Sequence, residues 1–276
     1  CLVDCLRREE ETLMLCDNLK KRDQELLVRT NDILMRNVYE DGKYLWSPYR
    51  CISPGKETFQ GIWNWDNAFH AVGAMRIDYQ LAKDNVLGFF KFQKNNGFLP
   101  DCIFEDGTVV DVASKPPVFA WAVEEMYRKE NDLEFIKEMY PKLFMNLKFW
   151  ETERCYQGLF FYDASNKESE EYLTYAKYES GWDNSVRWDN GIVEYWPIDL
   201  NCYMVMSYRS MSFLAKELGL LEEVNIWDRK QTELSELINQ NMWDKENRYY
   251  VDVNKITGEF SKVLSPASFM PLYIEI

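Results

Sequence analysis

The chain has 276 residues, with 32 Lys and Arg against 46 Asp and Glu for a formal charge of −14, and 46% of its residues are hydrophobic. Enough apolar surface is available for a substantial core, so a disordered chain or a small disulfide-stapled scaffold is excluded. The acidic balance, relieved locally only at Lys20-Lys21-Arg22, argues against a nucleic-acid surface, which needs clustered cations. No stretch reaches the ~20 apolar residues of a membrane span and no cleavable signal is evident, so neither nucleic acid nor membrane is expected as a partner and localisation defaults to the cytoplasm.

Taken in order, apolar residues spaced by three and four predict a mainly helical chain. Across 6–38, Leu13, Leu15, Leu19, Leu26, Leu27, Ile33 and Leu34 recur in a charged background and predict a surface helix or helix pair with one buried stripe. Further helices are predicted over 66–75, 79–93, 118–129, 133–151, 200–218 and 222–243. Short links alternate with long aromatic loops at 39–63, 94–117, 152–198 and 244–268, with small β-hairpins expected at 159–162 and 249–253. The pattern is that of antiparallel helical hairpins with their long loops gathered at one end, an all-α toroid or part of one. The start at Cys1 and the stop after the apolar run 269–274 suggest part of a longer polypeptide.

Chemistry is limited by composition. The seven cysteines, at 1, 5, 16, 51, 102, 155 and 202, contain no C-x-x-C pair and read as scattered buried thiols. With His70 as the one histidine, zinc sites and His-dependent triads are poorly supplied. Carboxylates are the plentiful reactive groups. Gly61-Ile62-Trp63-Asn64-Trp65-Asp66-Asn67-Ala68-Phe69-His70 sets two indoles and a carboxylate before a helix. Alone it is as readily core and an N-cap as a sugar subsite, where aromatic faces meet ring C–H groups and carboxylates accept from hydroxyls. The denser run from Glu179 through Trp182, Asp183, Asn184, Arg187 and Trp188 to Asp189 favours a site, because solvated charged faces are rarely interleaved with Trp. Trp196-Pro197-Ile198-Asp199 opens another helix, with Asp199 a candidate cap.

Trp63-Asn64-Trp65-Asp66-Asn67, Gln93 to Pro100, Pro116-Pro117, Ser180-Gly181-Trp182-Asp183-Asn184-Ser185, Arg187-Trp188-Asp189 and Asp199-Leu200-Asn201 follow one another in an order that resembles glycoside hydrolase family 63, in its mannosylglycerate hydrolase-like branch. The resemblance covers roughly 45–276. It implies an (α/α)6 barrel hydrolysing α-glycosidic bonds with inversion, a small-molecule carbohydrate as substrate and no cofactor or metal. It puts the general acid on Asp183, expected to be buried beside Trp182 or Trp188. It puts sugar contacts on Trp63, Trp65, Asp66, Lys115, Trp182, Asn184 and Arg187. Lys115 stands where the branch commonly has Gln, and Val186 where it commonly has Pro.

About seven or eight helices fall short of the twelve of a six-hairpin ring, so residues 1–276 are expected to form the N-terminal portion of a single catalytic domain. The family's general base, a Glu of the C-terminal part, has no matching segment here; Glu179 and Glu194 lie near the acid but do not fit its motif. A trehalase or debranching-type α-glucosidase and a truncated, non-catalytic carbohydrate-binding paralogue are the competing expectations. A toroidal prenyltransferase or terpene cyclase is disfavoured by the lack of an Asp-Asp-x-x-Asp cluster.

Overall fold

The computed structural model describes residues 21–40, 42–189 and 191–276. Three antiparallel helical hairpins organise them. The first joins α2 (Asn64–Ala74) to α3 (Tyr79–Phe90), the second α4 (Phe119–Glu130) to α5 (Leu133–Glu153), the third α7 (Ile198–Glu217) to α8 (Leu221–Asn241). The predicted boundaries agree to within three residues because the stops are local chemistry. The Asp78 and Asp132 carboxylates accept from the Leu81 and Phe135 amides, each at 3.0 Å, and cap α3 and α5. Asn131, left-handed at φ 54°, closes α4. The same two caps are tied down by Arg50 and Lys83, each ion pair at 2.9 Å.

The helices α2, α4 and α7 pack on one another in sequence order and form one row, while α3, α5 and α8 pack against them. Each helix of that row begins where a long loop ends, so all three N-termini, with Asp66 in the first turn of α2 and Asp199 in that of α7, belong to the loop side. The positive end of a helix dipole favours carboxylates there. Large aromatics, among them Trp150, Trp188, Trp227, Phe89 and Phe119, are fully buried in the core. Trp227 donates to the Tyr140 hydroxyl at 2.8 Å, which satisfies its indole N–H.

Short antiparallel strands brace the loops. Strands β1 (Val38–Tyr39) and β2 (Cys51–Ile52) pair with Val38 opposite Ile52. Strands β3 (Gly61–Trp63), β4 (Cys102–Phe104) and β5 (Val109–Val110) form a three-stranded sheet in which Trp63 faces Cys102 across the ladder. The expected hairpins are present as β6 (Cys155–Tyr156) with β7 (Leu159–Phe160), and β9 (Trp243–Asp244) with β10 (Tyr249–Tyr250). A non-local pair, β8 (Tyr195–Trp196) with β11 (Val253–Asn254), was not legible in the loops.

Two expectations are corrected. The first helix, α1 (Lys21–Arg36), has no buried stripe: Leu26, Leu27, Val28 and Ile33 are exposed, and only Leu34 packs partly on the core. Leu13, Leu15 and Leu19, with Cys1, Cys5 and Cys16, lie outside the described residues. The loop 152–198 contains a helix, α6 (Tyr172–Ser180), in which Tyr172, Tyr175 and Tyr178 recur every third residue but whose nine residues are too few to stand out from the surrounding loop. Of the described cysteines, Cys51, Cys102 and Cys202 are buried free thiols, and Cys155 is half-buried. The chain ends with a 3-10 turn (Pro266–Phe269) leading into the single-turn α9 (Met270–Tyr273). No helix among the described residues is long and apolar enough to cross a membrane.

Candidate active site

Strand β3 delivers Trp63 to the start of α2, and the loop after Gly97 is stitched against it. The Asn64 amide donates to the Asp101 carbonyl at 2.9 Å, and Asn64 Nδ2 donates to the Pro100 carbonyl at 2.8 Å. Gly97, at φ +90°, lets this loop cross α5, since a Cβ would fall 1.8 Å from the Met145 carbonyl oxygen. Asp101 is thereby held beside the first turn of α2.

The Asp101 side chain is buried and forms an ion pair with Lys115 Nζ at 2.9 Å, the Lys115 side chain being 6% exposed. Lys115 also donates to the Tyr178 carbonyl at the end of α6. Burial pushes the Asp101 carboxyl up to about 6; Lys115 opposes that rise, while the negative charges of Asp183 and Asp66 add to it. Asp66 is likewise raised by burial, with His70 and Lys115 pulling the other way. His70 is pushed down by its own burial and is therefore neutral at pH 7. Three carboxylates from separate segments thus share one electrostatic neighbourhood with a single ammonium.

Asp66 is not an N-cap. Trp63 holds that position, and among the described residues no side chain donates a hydrogen bond to the Asp66 carboxylate. Apart from a hydrogen bond from its own backbone N–H, its oxygens are available to a ligand. Trp65 packs on Phe69 and edge-on to Tyr203, with centroids 5.9 and 6.5 Å apart. It also covers Gly181, where a Cβ would meet the indole at 2.3 Å. The ring of Trp63 belongs to a different aromatic set, edge-on to Phe59 and Phe104. Next to Phe69, the residues Val118, Trp121, Tyr203, Met206, Met270 and Tyr273 line an apolar hollow of about 200 Å³.

The segment 179–189 is built differently from the sequence expectation. Ser180 Oγ accepts from the Trp188 indole and the Trp182 amide, both at 3.1 Å. Trp182 Nε1 donates to Asp199 at 3.0 Å. Trp188 is buried, whereas Asp183 and Asn184 are exposed, so neither tryptophan encloses Asp183. The indoles commit their N–H groups to shaping the loop, and that leaves the Asp183 carboxyl at its rim.

Arg187 is enclosed by carboxylates. Its side chain is fully enclosed, chelating Asp199 at 2.7 and 2.8 Å and Asp252 at 2.7 Å through two contacts, with Trp188 stacked 4.3 Å from its Cζ. Four of its five N–H donors go to these carboxylates and its side chain is fully enclosed, so the guanidinium holds the loop to α7 and to the β11 segment. Asp199 is accordingly the partner of this anchor, and Pro197 occupies the cap position of α7. Glu179 is occupied in the same way, paired with Arg154 at 2.9 and 3.1 Å and accepting from the Asp163 amide at 2.7 Å.

Sequence reasoning missed Asp101, Asp252 and the Glu179–Arg154 pair. Asp101 carried a faint signal, an acid directly after Pro100 in the otherwise apolar run 98–104. Asp252 carried none, because its partner lies 65 residues away. No group of three His, Cys, Asp or Glu that could hold a metal occurs among the described residues.

Comparison with known proteins gives a consistent picture. The family described as the mannosylglycerate hydrolase MGH1-like glycoside hydrolase domain matches residues 60–276. The mannosylglycerate hydrolase of Rubrobacter radiotolerans is 22% identical over 81% of this chain and 66% of its own length. A probable trehalase of Oryza sativa subsp. japonica is 21% identical over 74% of this chain and 43% of its own length. The chain therefore spans between under half and about two thirds of these two relatives. The GH63 mannosylglycerate hydrolase from Thermus thermophilus, crystallised with glucose, superposes with a TM-score of 0.71 at 20% identity, covering 91% of this chain and 72% of that one. Neutral trehalase Nth1 from Saccharomyces cerevisiae does so at 0.67 and 16% identity, over 82% of this chain and 52% of that one. The row of hairpins is the α/α toroid type of fold.

Proposed function

The chain belongs to the mannosylglycerate hydrolase MGH1-like glycoside hydrolase family, and on that premise we propose that it acts in the inverting hydrolysis of α-linked glucosides or mannosides. In this reading Asp183 is the general acid, and Trp65, Asp66 and Lys115 form the wall of the sugar subsite. The observation that carries it is the convergence of Asp66, Lys115 and Asp183 on the carboxyl of Asp101, from segments far apart in sequence.

Inversion needs one carboxylic acid at the leaving oxygen and one carboxylate that activates water on the opposite face, ~6.5 to 9.5 Å away. Asp183, on an exposed rim, is reachable by a glycosidic oxygen, and a bound ring would exclude water from it. Asp66 accepts from hydroxyls while the Trp65 face stacks on the ring. Trp63 and Trp182 shape the surroundings, and Asn184 stands next to the acid. We assign the general base to a part of the ring outside residues 1–276, in keeping with this chain forming the N-terminal portion of the toroid. Glu179 is not available for that role, since Arg154 occupies both its oxygens.

The test compares the 276-residue chain with the longest product of its reading frame on α-glucosides and α-mannosides, mannosylglycerate, glucosylglycerate and trehalose included. Proton NMR follows the anomer first released. The longer product is expected to release the β-anomer, and Asp183→Asn is expected to lower turnover ~10²- to 10⁴-fold with the fold intact. Wild-type turnover by folded Asp183→Asn would remove the acid from Asp183. Inverting hydrolysis by the 276-residue chain alone would put the base within it and direct attention to Glu194.

A further inference from the structure

The Lys115 ammonium lies 2.9 Å from the Asp101 carboxylate, and its charge also acts on Asp66. An ammonium has three donors in a tetrahedral arrangement. One is given to the Tyr178 carbonyl and one faces Asp101. Asp66, by contrast, receives no side-chain donor among the described residues. Were Asp101 neutral, Asp66 would be the nearby anion best able to draw the ammonium.

We infer that Asp101 is a positioning residue that holds Lys115 away from Asp66 and so keeps the Asp66 carboxylate open to sugar hydroxyls. The inference rests on Asp66 and Lys115 belonging to the sugar subsite as proposed above. Removing one partner of a buried pair leaves the other charge uncompensated at a large cost, which a flexible lysine stem relieves by reaching another carboxylate. With Asp101 ionised, Lys115 is satisfied and Asp66 is free. With Asp101 protonated or replaced by an amide, Lys115 turns to Asp66 and competes with the sugar for the same oxygens.

The titratable and charged groups around Asp101 are Asp66 and His70 from α2, Cys102 from β4, Lys115 from the loop before α4 and Asp183 from the loop after α6. Burial pushes His70 down from the usual imidazole range, so it is neutral near pH 7, and pushes the Cys102 thiol up to about 12, so the thiol stays neutral from pH 5 to 7. Asp101 itself, near 6, titrates in that window. As pH falls through it, Asp101 takes up a proton and releases Lys115.

Two measurements test this, one of them independent of any sugar. In protein labelled with 13C at the Asp carboxyl carbons, the Asp66 titration is followed in wild type, Asp101→Asn, Lys115→Gln and the double variant. Asp101→Asn is expected to shift the Asp66 midpoint to lower pH, and the added Lys115→Gln to abolish that shift. An Asp66 titration unchanged by Asp101→Asn overturns the inference, whatever the protein hydrolyses. The second measurement is calorimetric affinity for glucose, and KM for the best substrate of the panel, against pH. Wild-type affinity is expected to weaken on the acid side; Asp101→Asn is expected to raise KM about tenfold at pH 7 with kcat within twofold, and to lose that acid-side weakening. Addition of Lys115→Gln is expected to restore KM to that of Lys115→Gln alone. Equal loss in the double variant and in Asp101→Asn would make the pair merely structural. Absence of sugar affinity in wild type would instead strike at the proposed function, leaving the carboxyl titration to decide the role of Asp101.

Discussion

At the scale of single residues, the same chemical group does opposite work depending on what has already claimed its atoms. The Asp66 carboxylate sits in the first turn of α2 with no side-chain donor among the described residues, so its lone pairs remain for a ligand. Asp199, in the corresponding place on α7, is chelated by Arg187 and contacted by Trp182, so none remain. Asp66→Ala is therefore expected to weaken glucose affinity by about 1.5 to 3 kcal/mol for each hydrogen bond to the charged group that is lost, read by calorimetry, with little change in the urea midpoint. Unchanged affinity at unchanged stability would leave Asp66 as only a favourable charge at a helix end. For Arg187 the expectation is reversed. Arg187→Leu strands two buried carboxylates, and equilibrium urea unfolding is expected to show a loss of about 3 to 5 kcal/mol. A loss below about 1 kcal/mol would mean that water reaches Asp199 and Asp252 and that the anchor is looser than its geometry implies.

At the scale of elements, the loop following α6 decides how the site is shaped. Gly181 closes α6 in the left-handed region at φ +70°, and the Trp65 indole lies where a Cβ would be. The helix end and the aromatic wall of the proposed subsite are thus one packing problem. Gly181→Ala is expected to lower stability by more than about 1 kcal/mol, because the backbone is strained and the indole must move as well. The same variant should weaken sugar affinity through the displaced Trp65. Thermal unfolding paired with glucose calorimetry checks both, and a variant that loses stability while binding normally would separate the two roles. The serines of the 180–185 motif belong to this element too, since Ser180 and Ser185 accept from Trp182, Trp188 and Arg187 to hold the turn that carries Asp183.

At the scale of the whole molecule, three hairpins form a row whose loop side carries the candidate site and whose C-terminal end is apolar. Phe269, Leu272 and Tyr273 are 67%, 70% and 62% exposed beside the hollow lined by Phe69, Trp121 and Tyr203. Contiguous apolar surface of this kind drives association in water. Sedimentation velocity over a concentration series is expected to show self-association of the 276-residue chain, reduced in a Phe269→Ser, Leu272→Lys variant. A wild-type chain that stays monomeric throughout would show that this face is not adhesive in solution.

The residue pattern by itself determined the hairpins. Helix periodicity and the Asp78, Asn131 and Asp132 stops act over three or four residues, so they are readable without knowing what lies across the molecule. The ordered motifs marked Trp63, Trp65, Asp66, Lys115, Trp182, Asp183, Asn184 and Arg187 as candidates for one site, with no sign that Arg187 is enclosed by carboxylates. What only the tertiary structure decided is which charges are already paired. Arg187 meets Asp252, Glu179 meets Arg154 and Lys115 meets Asp101 across 65, 25 and 14 positions of chain respectively. Such pairings follow from which loops the folded hairpins bring side by side, and burial then makes each pairing obligatory, because an unpaired buried charge costs more than the fold can sustain.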